Sequence, residues 1–374
     1  MVAAGTLDQV FDSQDFEALE AVGIAHARER AGLIEYLGGL GFTVEQMVEA
    51  ERKGRLFGLA GDALLWSGPL RYSLSTAAEA LGVAITDVES AWSMLGLTVA
   101  DRDELALSQA DVDGLATWEA MRAQMGQDGA DGFLRVLGET IARIADAISS
   151  AIRTRQPTLW LDHTGDELST AQAYRAVAEF VPRLGSLIDA VHRHHLVNTR
   201  TFIERLTAGP SSNLLCGIGF ADLCGFTALT QTLTLAELST LLSEFGATVS
   251  DVVHADGGRV VKFIGDAVMW VSPTPERLAR AAIDLVEHPK ARQANLQVRA
   301  GLGYGEILSI AGDYFGTPVN LAARLAEVAG PGQILAAVEL HEQLPDWPWD
   351  AVGPLHLKGF DAPVRAFLLK GGQV

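Results

Sequence analysis

The sequence predicts the α+β fold class, with an all-helical N-terminal half followed by a domain of alternating strands and helices. Two observations support this prediction. Beyond about residue 209, short apolar runs bounded by glycine and aspartate alternate with segments of helical length. Before that point, apolar residues recur at helical spacing and no strand pattern alternates convincingly. We therefore expect a helical domain over residues 1–190, a linker over 191–210 and a second domain over 211–374.

Helical periodicity in the N-terminal half is clearest in one set of apolar residues: Leu137, Ile141, Ile144, Ile148 and Ile152. Two other stretches, 42–47 and 72–83, resemble helix-turn-helix elements with Ser or Thr caps. The second helix predicted for the latter element, Thr86–Met94, has two carboxylates and no Lys or Arg. Such a helix is unsuited to a phosphate-lined groove, so we expect no nucleic-acid partner.

The sequence of the C-terminal half predicts a regular alternation of strands and helices. In order these are a strand at Leu214–Asp222, a helix near Ala236–Ser250, a hairpin from Arg259, a helix near Pro275–Glu287, and strands near Gln297–Gly303 and Ile307–Ala311. This order matches a ferredoxin-like βαββαβ core. Short strands at Ile334–Leu335 and Val364–Leu369 are predicted to close the domain.

Composition limits the class of protein. The chain has 374 residues, 48% of them hydrophobic, which is enough to bury two cores. Its formal net charge of −19 disfavours nucleic acid and anionic membranes as partners, because both require a positive surface. The sequence has no leader-like segment and no run of about 18 uncharged apolar residues, so we expect a cytoplasmic protein without a membrane span. Cys216 and Cys224 alone do not constitute a disulfide framework.

Two aspartates, Asp222 and Asp266, end or turn apolar strand-like runs. Carboxylates at strand ends favour a site for hard divalent cations, which bind oxygen ligands together with the phosphates of a nucleotide. The alternative is a pair of ordinary turn aspartates. A glycine turn that leads toward a helix follows Asp222, and its free N–H groups could bind a polyphosphate. The residues of this turn are Leu223, Cys224, Gly225, Phe226 and Thr227.

Further polar residues lie in otherwise apolar surroundings. Lys262 has four apolar neighbours, so its ammonium requires a partner or a ligand, unless it is an edge lysine that reaches solvent. Thr317 and Pro318 are predicted as the N-cap and first residue of a helix. On that helix Asn320 and Arg324 share one face, which is either charge-stabilising or simply solvated.

Three motifs in this order, FADLCGFT (220–227), KFIGDAVM (262–269) and GDYFGTPVNLAARL (312–325), resemble the catalytic domain of class III nucleotidyl cyclases. The resemblance covers about residues 214–369. It implies a complete set of site residues: Asp222 and Asp266 as metal ligands, Lys262 and Asp313 as the purine-selecting pair, and Asn320 and Arg324 as transition-state stabilisers.

The resemblance also implies a reaction. Lys262 and Asp313 fit recognition of adenine rather than guanine, so the expected substrate is ATP. Two Mg²⁺ or Mn²⁺ ions per active site would activate the ribose 3′-hydroxyl, which attacks the α-phosphorus to give 3′,5′-cyclic AMP and pyrophosphate. In this family the sites form between two catalytic domains. Because this chain has each element once, a homodimer with two equivalent sites is expected.

The arrangement of both halves resembles the pH-sensing adenylyl cyclases of the mycobacterial type. In those enzymes the helical domain inhibits the cyclase at neutral or alkaline pH and releases it in acid. His192, His194 and His195 lie just ahead of the domain junction beside Arg193, and histidine titrates near pH 6.5. They are either a switch between two packings or three solvated side chains. A small-molecule or lipid effector of the helical domain is a further hypothesis.

Two other functions compete with this one. The chain could be an inactive cyclase-like signalling module whose helical half binds a partner or DNA. The intact residue set favours the enzyme instead. A diguanylate cyclase would also have two metal carboxylates, but it should show a Gly-Gly-Asp-Glu-Phe-like turn, whereas this chain has Phe-Ile-Gly-Asp-Ala.

Overall fold

The computed structural model describes residues 13–155, 165–206, 214–289, 291 and 296–371. The chain divides into two compact units, residues 1–193 and 194–374, which we call the N-terminal and C-terminal units. In the described residues, no helix is both long enough and apolar enough to cross a membrane.

The N-terminal unit is helical, as the sequence predicts. Its α-helices are α1 (Ser13–Ala21), α2 (Ala31–Gly39), α3 (Val44–Arg52), α4 (Leu59–Leu65), α5 (Leu74–Leu81), α6 (Ile85–Met94), α7 (Gln109–Arg155) and α8 (Glu167–Ala178). The predicted Ser and Thr caps are confirmed, because Thr43 and Ser73 each form a capping box at the start of α3 and α5. The run of α7 is broken at Gly126, whose φ of 78° is not helical.

Two apolar clusters form the core of the N-terminal unit. One includes Leu33, Leu37 and Met47, and the other includes Val88 and Trp118. The periodic residues of α7 lie largely outside both clusters: Leu137, Ile141 and Ile148 are 37%, 40% and 36% exposed. The spacing of these residues therefore predicted the helix but not the burial of this face.

Helix α9 (Val181–Leu206) contains the division between the two units, which falls between Arg193 and His194. Its last turns belong to the C-terminal unit, where Phe202 and Leu206 pack in one cluster with Ile218 of the first strand. Residues 191–206 of the predicted linker are thus helical, and the remainder, 207–210, lies outside the described residues.

The C-terminal unit is built on an eight-stranded sheet. Its elements are β1 (Leu214–Leu223), α10 (Phe226–Thr230), α11 (Leu235–Ala255), β2 (Arg259–Ile264), β3 (Ala267–Ser272), α12 (Pro275–Val286), β4 (Val298–Ile310), β5 (Asp313–Phe315), α13 (Thr317–Val328), β6 (Ile334–Ala337), α14 (Val338–Gln343), β7 (Trp349–Leu355) and β8 (Val364–Leu369). The strand order is β2-β3-β1-β4-β6-β8-β7, and β5 pairs with β4.

The order β2-β3-β1-β4 with α11 and α12 as crossovers is the predicted ferredoxin-like core, which is confirmed. Beyond it, β6 pairs with β4 in parallel, so the complete sheet is mixed. The prediction of two strands between residues 297 and 311 is wrong. Strand β4 continues without a break because Leu214–Leu223 pairs along it in unbroken register.

Helix α13 lies directly on β4, and a glycine makes this possible. A Cβ atom at Gly301 would come within 2.2 Å of the Ala322 carbonyl oxygen on α13. Only a residue without a side chain lets the helix approach so closely. The position of α13 matters because it includes Asn320 and Arg324.

Candidate active site

The strand register brings the two predicted metal ligands together. Asp222 is the penultimate residue of β1 and lies opposite Ala267, the first residue of β3. Asp266 immediately precedes Ala267, in the turn that follows Gly265 with its φ of 65°. Both carboxylates are half-buried. Residues 44 positions apart thus meet at one end of the sheet.

Burial is the main influence on the ionisation of this pair, and the closeness of two like charges adds to it. Burial and a side-chain hydrogen bond with Asp222 raise the pKa of Asp266 to about 6. That value includes a smaller rise from the negative charge of Asp222, and it includes the lowering of the pKa by a backbone hydrogen bond and by the charge of Arg299. A divalent cation bound at these carboxylates would favour the ionised form of Asp266 and so lower its pKa.

Arg299 on β4 is a site residue that the sequence analysis missed. Its Nη2 and Nε atoms donate to Oδ2 of Asp222 at 2.7 and 3.2 Å. Its Nη1 donates to the carbonyl oxygen of Glu327 on α13 at 2.8 Å. A signal was available, because Arg299 is a lone cation in an apolar strand, which is the argument that singled out Lys262.

The donor set fits a hard divalent cation. Two carboxylate groups supply the oxygen ligands that Mg²⁺ and Mn²⁺ prefer. In the part of the chain that the structure describes, no group of three or more His, Cys, Asp or Glu could hold a metal alone. Water and nucleotide phosphates would therefore complete the coordination. Burial raises the pKa of the nearby Cys224 thiol, which disfavours a thiolate ligand.

The predicted phosphate turn is only partly available. Leu223 pairs with Val298 in the sheet, and the N–H of Cys224 donates to the Gln297 carbonyl at 2.8 Å. The short helix α10 begins after Gly225. As the first residues of this helix, Phe226 and Thr227 have N–H groups with no acceptor within the helix.

Lys262 and Asp313 form an ion pair between β2 and β5. Their side chains are 38% and 30% exposed, and Oδ1 of Asp313 also accepts from the Tyr314 N–H at 2.9 Å. Lys262 thus lies on an edge strand, as one of the two alternatives for this residue predicted. Its ammonium group also has a partner, Asp313, as the other alternative predicted.

Asn320 and Arg324 lie on α13, as predicted, with Asn320 exposed. The N-cap prediction was wrong by one residue, since Gly316 is the N-cap and Thr317 the first helical residue. Arg324 forms an ion pair with Glu327. Among the described contacts, no hydrogen bond or ion pair joins Arg324 to the metal carboxylates of its own chain.

The three predicted switch histidines, His192, His194 and His195, are exposed on α9. Nearby, Arg193 donates to Asp189 at 2.9 Å. This hydrogen bond is the main cause that lowers the pKa of Asp189, and His192 contributes through its charge.

A ferredoxin-like core with two adjacent half-buried aspartates and a Lys–Asp ion pair agrees with the class III nucleotidyl cyclase domain that the motifs resemble. A family model of the adenylate and guanylate cyclase catalytic domain matches residues 211–371, and one of the adenylate cyclase regulatory domain matches residues 12–199. The chain therefore belongs to the adenylate cyclase family, with the regulatory domain ahead of the catalytic domain. This confirms the resemblance that the motifs indicated.

Curated relatives match this chain over most of their own length. An uncharacterized protein of Mycobacterium tuberculosis is 66% identical over 360 residues, which cover 96% of this chain and 95% of the relative. A pH-sensitive adenylate cyclase of the same species is 31% identical over 92% of this chain and 88% of its own. Among solved structures, the adenylyl cyclase CyaB from P. aeruginosa is 26% identical, with a TM-score of 0.39, over 42% of this chain and 95% of that chain.

Proposed function

We propose that this protein converts ATP to 3′,5′-cyclic AMP and pyrophosphate. Asp222 and Asp266 would hold two Mg²⁺ or Mn²⁺ ions, which when bound supply Lewis-acid activation of the ribose 3′-hydroxyl and neutralise phosphate charge. Arg299 adds a fixed positive charge beside the polyphosphate. The N–H groups of Phe226 and Thr227 bind phosphate oxygens at the start of α10.

The other half of the site selects the base and stabilises the transition state. Lys262 donates to the adenine N1, and the carboxylate of Asp313 accepts from the 6-amino group. Arg324 stabilises the charge that grows on the α-phosphoryl oxygens, and Asn320 orients the ribose. The observation that carries the substrate assignment is the ion pair between Lys262 and Asp313, which presents one donor and one acceptor together.

A homodimer with shared sites is part of this proposal. In the C-terminal unit the contacts fall into separate groups, with Asp222, Asp266 and Arg299 in one and Lys262 and Asp313 in another. Large apolar side chains near the second group are 43–53% exposed and would be covered by a partner. These residues are Phe263, Ile264, Leu308, Ile310 and Phe315.

The first test is cyclic AMP formation by the full chain with Mn²⁺ and either ATP or GTP. We expect turnover of ATP and little of GTP. Lys262→Glu should reduce turnover of ATP at least tenfold, because the donor to adenine N1 is lost and Asp313 gains a repelling neighbour. No product from either nucleotide would leave an inactive cyclase-like module as the better description.

Shared sites can be tested by mixing two chains whose own activity is only residual. A mixture of Asp222→Ala and Arg324→Ala chains can form one site with every group intact, so activity should return toward one quarter to one half of the unsubstituted level. Mixing that restores no activity, although the two chains associate, would contradict shared sites.

We also propose that the N-terminal unit inhibits the cyclase at neutral pH and releases it in acid. The regulatory-domain match and the pH-sensitive relative support this. Protonation of His192, His194 and His195 would add positive charge beside Arg193 and near Asp189. Substituting all three by Gln should remove the rise in activity between about pH 7.5 and pH 6. An unchanged pH profile would exclude these histidines as the switch.

A further inference from the structure

Glu327, near the end of α13, contacts two residues that have roles in the proposed function, Arg324 and Arg299. Its carboxylate pairs with Arg324 one turn earlier on the helix. Its backbone carbonyl accepts a hydrogen bond from Arg299 at 2.8 Å, and Arg299 in turn binds Asp222 at 2.7 Å. The turn of helix from which the carboxylate projects is therefore fixed to β4.

We propose that Glu327 is a positioning residue for Arg324, an inference that rests on the proposed cyclase function. An arginine side chain has many rotamers, and a carboxylate on a fixed backbone restricts them. The guanidinium has five N–H donors, so its contact with Glu327 leaves others free to reach a phosphoryl oxygen. Orientation before the substrate arrives lowers the cost of forming that contact in the transition state.

The positioning role of Glu327 can be tested without unfolding the protein, because the ion pair with Arg324 is partly exposed. The side chains of Arg324 and Glu327 are 35% and 57% exposed, and an ion pair of that kind contributes little to stability. Glu327→Gln keeps the size of the side chain and the backbone carbonyl that holds Arg299. We therefore expect an unchanged melting temperature, so a change in rate would not reflect unfolding.

A double-mutant cycle on the full chain is the primary test. Glu327→Gln should lower kcat about fivefold with KM for ATP nearly unchanged, because Arg324 acts in the transition state. In an Arg324→Ala background the same change should have no effect, since Glu327 then has no guanidinium to orient. A fivefold loss in both backgrounds, an unchanged kcat, or a higher kcat would overturn the proposal.

Mixed dimers provide a matched control, because Glu327→Gln can be put on either of the two chains. When Asp222→Ala and Arg324→Ala chains associate, the one intact site uses Arg324 of the Asp222→Ala chain. Glu327→Gln should lower kcat when it is on that chain and leave kcat unchanged when it is on the other. Equal effects from both placements would overturn the positioning role. Absence of cyclic AMP from the unsubstituted chain would overturn the proposed function and this inference together, whereas activity indifferent to residue 327 overturns the inference alone.

Discussion

Two clusters in this molecule have the same composition, one arginine and two carboxylates, but different geometry. In the N-terminal unit Arg30 divides its donors between both partners, at 2.9 Å from Glu167 and 2.7 Å from Glu51. Its side chain is only 18% exposed. Burial lowers the pKa of Arg30, but the hydrogen bonds with Glu51 and Glu167 more than offset this and raise it overall. Each carboxylate in this cluster is thus compensated.

The cluster in the C-terminal unit is not compensated in this way. Arg299 directs two donors at a single oxygen of Asp222 and another at the Glu327 carbonyl. Within the described contacts, it acts on Asp266 through its charge alone, and the pKa of Asp266 stays raised at about 6. The comparison indicates that a candidate cation site is marked by a carboxylate to which no cationic side chain donates, and not by residue types alone.

The largest effect expected from this difference is on activity. Asp266→Asn removes the uncompensated carboxylate and should lower cyclic AMP formation at least about 100-fold with Mn²⁺. The matched change in the other cluster, Glu167→Gln, should leave the rate per folded molecule within about threefold at a pH where the enzyme is active. Comparable losses in both variants, measured by initial rates with ATP, would remove the distinction between the clusters.

A second prediction concerns the compensated cluster. Arg30→Ala leaves Glu51 and Glu167 half-buried without their shared cation, so the N-terminal unit should lose about 3 kcal/mol of unfolding free energy. Urea unfolding followed by circular dichroism measures this loss. A change below about 0.5 kcal/mol would mean that solvent already screens this cluster as it does a surface ion pair.

The smallest expected effect is on folding stability, where Asp266→Asn and Glu167→Gln should act in opposite directions. Ionised Asp266 disfavours the folded state without metal, because its folded pKa of about 6 exceeds the unfolded value of 3.8. That cost is absent below about pH 3.8, grows as pH rises from there to about 6, and is constant at higher pH. With EDTA at pH 8, Asp266→Asn should therefore stabilise the C-terminal unit by about 1 kcal/mol after allowance for screening. At pH 5 the gain should be about half as large, because that pH lies between the two pKa values.

Glu167→Gln is the control for this sign, since loss of a compensated carboxylate should lower the melting temperature at both pH values. Calorimetry on the metal-free variants provides both measurements. A destabilised Asp266→Asn protein at pH 8 would contradict the interpretation of Asp266 as the uncompensated group.

The sequence alone predicted the residues that local motifs mark. Asp222, Asp266 and Lys262 stand out because each is polar in an apolar run, and Asn320 and Arg324 because they share a helical face. The order of strands and helices also followed from local periodicity. These signals extend over a few residues, so they are visible before folding.

The parts that the sequence did not predict depend on register between distant segments. Arg299 becomes a site residue only because β4 pairs with β1 so that Asp222 lies opposite it. The contact of Glu327 with Arg299 depends on how α13 packs on that strand. The exposure of Ile141 likewise depends on which face of α7 packs against the rest of its unit. Helical spacing predicts the helix but does not predict what packs against it.

The close approach at Gly301 restricts how this enzyme can vary. Because Gly301 leaves no room for a Cβ beneath Ala322, evolution has no conservative alternative at that strand position. Exposed positions on α13 such as Asn320 can be exchanged without moving the helix, while a single added methyl group at residue 301 displaces it as a whole. Catalytic residues on the outer surface of α13 can therefore change in type, provided that residue 301 beneath the helix remains glycine.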